Sequence, residues 1–261
     1  MSQDEASSFA APVVGRIVSI LHNCFILKLD SRTFLFDCPS DEHLTSEEAR
    51  LITSYIRHAD LTVFCSHSHA DHFNANIASL TQQAARRVFV LSDDIADMFP
   101  EAVPEGSLIV EPDETITLDG MTICTLTSND LGVAFLVSVQ GLNIYFAGDL
   151  ANWVWPSMPP KARDMAQASF SECLQAIGRE HVHVAFSNLD TRLDNLAGGL
   201  EVMHTLQPDI FVPMHGFGDP AWMPAISPLL RHAPCRVFIY TKPGDTLCFQ
   251  LPKHQKPLHD S

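Results

Sequence analysis

The chain has 261 residues, 46% of them apolar, and a formal net charge of −15. That length can bury one large core, and that apolar share excludes a disordered chain. No apolar run is long enough to span a membrane, and the acidity, itself the charge of an ordinary soluble protein, argues against broad affinity for nucleic acid.

The opening MSQDEASSFAAP, residues 1–12, is polar and acidic and reads as a flexible segment rather than a secretory signal. A single domain over 13–251 is expected to follow without a linker, and 252–261, polar with Pro and Lys, reads as a flexible tail. In chain order, strands fit 13–20, 24–30, 33–37, 61–66, 87–91, 108–110, 115–118, 121–126, 132–139 and 142–147. Later strands fit 182–187, 209–213, 236–241 and 246–250, and helices fit 45–57, 73–85, 92–98, 161–179, 194–206 and 221–232. Hairpin turns are expected at Asp30-Ser31-Arg32 and at Gln140-Gly141. The seven cysteines are odd in number, scattered and without a CxxC pair, which points to free thiols in a reducing, cytoplasmic setting.

The densest chemistry is SHSHADHF at 66–73, which places His67, His69, Asp71 and His72 just after the apolar run LTVFC. On a strand end, residues two apart point the same way, so His67 and His69 can grip one ion. Asp71 and His72 fall on the turn and can face a second ion. A lone His there would be structural and a lone Asp an N-cap. So many polar groups packed together after a buried strand are costly to desolvate unless something binds them. Imidazole and carboxylate are the usual ligands of zinc and similar metals.

The HxHxDH pattern at 67–72 after a hydrophobic strand resembles the signature of the metallo-β-lactamase superfamily. LNIYFAGDLANW at 142–153 resembles that family's strand ending in Gly-Asp. PDIFVPMHGFGD at 208–219 resembles its late strand ending in a metal-binding His. RIVSILHNCFILKLDSRTFLFDCP at 16–39 resembles its initial hairpin, ending in the turn Asp37-Cys38-Pro39. The resemblance spans about 13–250 and implies an α/β (α+β) fold, a four-layer αββα sandwich with two sheets face to face and helices outside. It also implies two divalent ions, zinc first with manganese or iron as alternatives, with Asp149 as the bridge. The second position would be built from Asp71, His72, Asp149 and His215, and the first from His67, His69 and the bridge. The family usually supplies a further His to the first metal. The corresponding stretch TLTSNDLGVAFLV at 125–137 has none, and Asn129 and Asp130 stand there, as ligands in its place or as an ordinary turn.

Trp153 and Trp155 follow Asp149, as a pocket wall or as core. In SNLDTRLDN, Arg192 is placed to clamp an anionic group and Asp190 to support a metal-bound His, or the two form a plain ion pair. His22, beside Asn23 on the first hairpin, reads as a structural His. His181, His183, His204, His232, His254 and His259 read as structural or solvated.

The chemistry implied is hydrolysis of a small ester, lactone, amide or phosphoester by a metal-bound hydroxide, with Asp149 placing it and Asp71 orienting it or carrying a proton. No GxSxG nucleophile motif is present, which agrees with attack by water. Two alternatives remain: a catalytically degenerate metal-binding sensor or scaffold, and an iron-dependent oxidoreductase of the same fold. The expected partner is a small-molecule substrate, with no nucleic acid and no membrane.

Overall fold

Strand alternation and aromatic content build two sheets in the computed structural model, which describes residues 11–253. The first sheet contains β1 (Val13–Leu21), β2 (Cys24–Leu29), β3 (Arg32–Phe36), β4 (Asp60–Cys65), β5 (Arg86–Ser92) and β6 (Leu108–Val110). The second contains β7 (Thr115–Leu118), β8 (Met121–Thr127), β9 (Val133–Val139), β10 (Leu142–Phe146), β11 (Val184–Asn188), β12 (Ile210–Met214) and β13 (Arg236–Val237). The last strand, β14 (Thr246–Leu251), returns to the first sheet, whose order is β14-β1-β2-β3-β4-β5-β6. The second sheet runs β13-β12-β11-β10-β9-β8-β7. Strands β3 to β6 are parallel to one another, and so are β10 to β13.

Period-two burial divides the first sheet's side chains. Ile17, Phe25, Phe34, Phe36 and Phe64 face the second sheet, whereas Val18, Ile26, Leu35 and Val63 face outward. The outward set packs against Ile52 and Ile56 of α1 (Ser46–Ile56), with α2 (Ile77–Leu80) and α3 (Asp93–Met98) following on the same side. Between the sheets, the Phe36 ring lies 4.8 Å from Phe146 and 5.2 Å from Phe64, and Phe64 lies 5.1 Å from Phe135. The far side of the second sheet is covered by Phe170 and Leu174 of α4 (Pro160–Ile177) and Val202 and Met203 of α5 (Gly199–Leu206). The order is therefore helix, sheet, sheet, helix, with α6 (Trp222–Ile226) closing one end.

Four expectations are corrected. The helix expected at 73–85 shrinks to Ile77–Leu80, because Asn74 and Asn76 turn to the neighbouring loop. Asn74 Nδ2 donates to the Pro39 carbonyl at 2.7 Å, Asn74 Oδ1 accepts from Asn76 N–H at 2.8 Å, and Asn76 Nδ2 donates to Asp41. Asn side chains that bond backbone compete with the helix. The helix expected at 221–232 ends at Ile226 and continues as a short 3₁₀ turn, Ser227–Leu230, where Pro228 supplies no N–H. The helix expected at 194–206 begins only at Gly199, after left-handed backbone at Leu196, Ala197 and Gly198. The strand expected at 236–241 pairs only over Arg236–Val237. Its partners are Ile210 and Phe211; further along β12, Pro213 has no N–H to offer and gives its carbonyl to the Tyr240 hydroxyl at 2.7 Å.

Both expected hairpin turns form, with left-handed Asp30 at one and left-handed Gln140 and Gly141 at the other. Residues 1–10 and 254–261, and with them most of both terminal segments and His254 and His259, lie outside the described residues. Among the described residues, no helix is long and apolar enough to cross a membrane.

Candidate metal centre

The carboxyl ends of both parallel strand sets open on the same edge, the usual place for a site in such sheets. Asp37 follows β3, Ser66 and His67 follow β4, Asp149 follows β10, Asp190 follows β11 and His215 follows β12. Three of the side chains here stand on left-handed backbone: His22 at φ 53°, Asp37 at φ 44° and His215 at φ 77°. Such conformations are costly for these residues and persist where surrounding contacts impose them. Gly148, at φ 52°, comes so close to Ser66 that an added Cβ would lie 2.6 Å from the serine Cβ. Only glycine lets the second sheet deliver Asp149 there.

His67, His69, Asp130 and Asp149 form one group whose possible ligand atoms all lie within 4.8 Å of each other, and His22, Asp71 and His72 form another. Asp149 joins them: its Oδ2 is 3.8 Å from His67 Nε2, and its Oδ1 is 3.4 Å from His72 Nε2 and 3.6 Å from His215 Nε2. Asp71 Oδ2 lies 3.9 Å from His72 Nε2. His67 Nε2 and His69 Nδ1 are 3.0 Å apart, and His69 Nδ1 is 3.5 Å from Asp130.

The outer nitrogens decide which inner atoms can bind a cation. His72 Nδ1 meets Asp37 Oδ2 at 2.6 Å, so it carries a proton, and Nε2 is the nitrogen turned inward, able to bind a cation in place of its own proton. The Ser66 hydroxyl donates to Asp37 at 2.9 Å and therefore accepts from His67 Nδ1 at 3.0 Å, which frees His67 Nε2 in the same way. His215 follows the plan more loosely, its Nδ1 3.2 Å from Asp190 Oδ2 and off the hydrogen-bond axis. His72 Nε2 is buried and has no hydrogen-bond partner among the described residues. An inward, unpartnered nitrogen beside the Asp71 and Asp149 carboxylates fits a divalent cation.

Electrostatics mark a site that attracts positive charge. Burial raises the Asp130 carboxyl, and the Asp149 charge raises it further. Burial also works against the Asp149 anion, but His72 and His215 outweigh it and hold Asp149 well below the usual carboxylate range. Burial opposes charge on His72 as well, yet Asp149 and Asp37 raise its pKa well above the ordinary value. Burial, with help from the His72 charge, lowers His67 to about 3.

His22, read from the sequence as a structural His, stands inside this cluster. Its Nδ1 accepts from Phe217 N–H at 3.3 Å, so its proton sits on Nε2, which faces Asp71 Oδ2 at 3.3 Å without good alignment. It is thus a donor towards Asp71 rather than a lone pair for an ion. Burial lowers its pKa to about 4 against the opposing pull of Asp71. Asp37, read only as part of a turn, supports His72 and Ser66. Its signal in the sequence was an acid directly after an apolar strand, which is also what a plain turn looks like.

The Asn129 amide turns to backbone. Its Nδ2 donates to the Ala151 carbonyl at 2.6 Å and its Oδ1 accepts from Ala151 N–H at 3.2 Å, so the amide clasps the loop after Asp149. Asp130 takes the place beside His69 instead. Trp153 Nε1 donates to the Asp149 carbonyl at 2.8 Å, and its ring lies 5.2 Å from His215. Trp153, Trp155 and Arg192 line a cavity of about 700 Å³ above Asp71, Asp130 and Asp149. A second cavity, of about 450 Å³, lies behind His22 and Phe217.

YhfI of Bacillus subtilis, a metallo-β-lactamase fold protein of solved structure, superposes with a TM-score of 0.58 at 16% identity, over 92% of this chain and 100% of that one. The chain has the metallo-β-lactamase fold. Igni18 of Ignicoccus hospitalis, described as a novel metallo hydrolase, has a TM-score of 0.59 at 17% identity, over 90% of this chain and 98% of that one. By sequence, a UPF0173 metal-dependent hydrolase of Opitutus terrae is 25% identical over 218 residues, which cover 78% of this chain and 86% of that protein. No family model matches the chain.

Proposed function

We propose that this protein is a metal-dependent hydrolase acting on a small ester, lactone, amide or phosphoester. The observation that carries the reading is the inward-facing Nε2 atoms of His67 and His72, oriented by the Asp37–Ser66 network, beside Asp71, Asp130 and Asp149. A structural polar cluster has no need to leave a buried nitrogen such as His72 Nε2 without a partner. The Opitutus metal-dependent hydrolase and the Ignicoccus metallo hydrolase, similar to this chain, support the same reaction class.

His67, His69, Asp130 and Asp149 would hold one divalent ion, and Asp71, His72, Asp149 and His215 the other, with zinc the first candidate. Such ions supply Lewis acidity and bring the pKa of water to about 7. Asp149, which reaches towards His67, His72 and His215, would serve both positions. Asp71, with His22 Nε2–H behind it, is half-exposed to the cavity and can take or return a proton beside the scissile bond. Asn23 Nδ2, 3.2 Å from Asp149 Oδ1, holds that carboxylate from the first hairpin.

Metal analysis combined with turnover on an ester, lactone, amide and phosphodiester panel tests the proposal. Metal with metal-dependent turnover on one class is the expected result. Bound metal with no turnover on any class would favour a sensor or scaffold, and bound iron with a redox-active spectrum would favour an oxidoreductase.

A further inference from the structure

We infer that the substrate carries a carboxylate- or phosphate-type anionic group and that Arg192 reads it; the inference rests on the hydrolase reading of the same site. A guanidinium has two hydrogen-bonding edges. In Arg192 one edge is committed: Nε lies 3.0 Å from both Asp190 oxygens, and Nη2 lies 2.5 Å from Asp190 Oδ2. The other edge is open, since Nη1 makes no hydrogen bond among the described residues and the side chain is 53% exposed on the cavity wall. Among the described residues lining that cavity, Arg192 is the one Lys or Arg.

The open edge is also held still. The guanidinium lies 4.5 Å from the Phe217 ring centre and 5.4 Å from that of Trp155, so cation–π contact with two rings steadies it. A surface counter-ion for Asp190 would need no such clamp. Asp190 itself is only 2% exposed and links to His215, so the arginine is tied to the metal centre through one carboxylate. An oxyanion accepts two parallel N–H bonds from such a fork. Around it, Trp153, Trp155, Met158, Met165 and Phe217 offer apolar surface for the rest of the molecule. The geometry therefore fits a substrate with an anionic end at Arg192, an apolar body along the tryptophans and its scissile bond over Asp149.

The test is a binding titration followed by tryptophan fluorescence, with 4-phenylbutyrate, 4-phenylbutyl phosphate, 4-phenylbutyramide and 4-phenylbutylamine as probes. It is run on zinc-loaded and on chelator-stripped protein, with zinc content measured for every sample. In wild type, at least one anionic probe should bind about 10-fold more tightly than the amide, and the two anions rank the group preferred. Arg192→Gln should abolish that preference. Arg192→Lys, which keeps a charge for Asp190 but loses the fork, should reduce it several-fold and serves where the Gln variant does not fold. A preference that survives in stripped wild type and is lost in the variants supports Arg192 even if the hydrolase reading fails. No preference in wild type, or a preference that both variants keep, would overturn the inference.

Discussion

Asp37 and His72 are both wholly buried, and the carboxylate holds the imidazole Nδ1 at 2.6 Å. Burial pushes the Asp37 carboxyl up, and His72 pulls it back. The other Asp37 oxygen accepts from Ser66 N–H at 2.8 Å, so one side chain sets both His72 and the loop that carries His67.

Asp37→Asn should therefore weaken metal binding more than folding. An amide must keep its oxygen on Ser66 N–H, which turns its NH₂ towards His72 Nδ1 and favours the wrong tautomer. Metal affinity is expected to fall about 10- to 100-fold, as for a lost outer partner. A metal titration on the variant checks this, and unchanged affinity would remove Asp37 from the account.

His22→Ala should leave both metal equivalents in place while lowering turnover, because His22 presents a proton to Asp71 rather than a lone pair. His22→Gln, which keeps a donor, should recover part of the activity. Loss of one equivalent in His22→Ala would make His22 a ligand.

Asp130→Asn should lower zinc content more than Asn129→Ala, since only Asp130 faces His69. The Asn129 change should instead appear as a lower melting temperature, from the freed Ala151 backbone. Reversed losses in elemental analysis would make Asn129 the ligand.

Phe36→Ala removes a ring packed between Phe64 and Phe146 at the contact of the two sheets. The expected cost is about 3–5 kcal/mol, read as a lower urea midpoint. A change under 1 kcal/mol, of the order tolerated in well-relaxing cores, would mean that the sheets do not depend on this stack.

Chelator-stripped protein should be most stable near the ordinary histidine pKa of about 6.5. His22 and His67, lowered to about 4 and about 3, bind protons more readily unfolded, so their contribution falls as pH drops below about 6.5. His72 and His215 are raised, so the stability they add is present below that value and is lost as pH rises through their folded values. Melting temperatures across pH 4–9 check the bell shape at roughly unit intervals around that value. A steady rise through pH 8 would contradict it.

Much of this was legible in the sequence because the strands carry unbroken apolar runs and the ligands stand at their ends. HSHADH needs no tertiary information to suggest metal. The helix after it is shorter than its spacing suggests, because Asn74 and Asn76 turn their amides to a loop some 35 residues earlier in the chain. Asn129 and Asp130 could not be told apart by spacing, since only the fold shows which one meets His69. His22 and Asp37 were hidden for the same reason: each lies on the first hairpin region, and its partner is brought to it by the sheet.

The central claim is tested most directly by metal stoichiometry on wild type and Asp149→Asn, measured with a melting curve on the same samples. Asn keeps the shape but not the charge that offsets two cations. Wild type purified without chelator, or reloaded with zinc, should carry up to two equivalents, and Asp149→Asn should lose at least one while remaining folded. Wild type that binds no divalent ion, or Asp149→Asn with full metal content and only a lower melting point, would contradict the account.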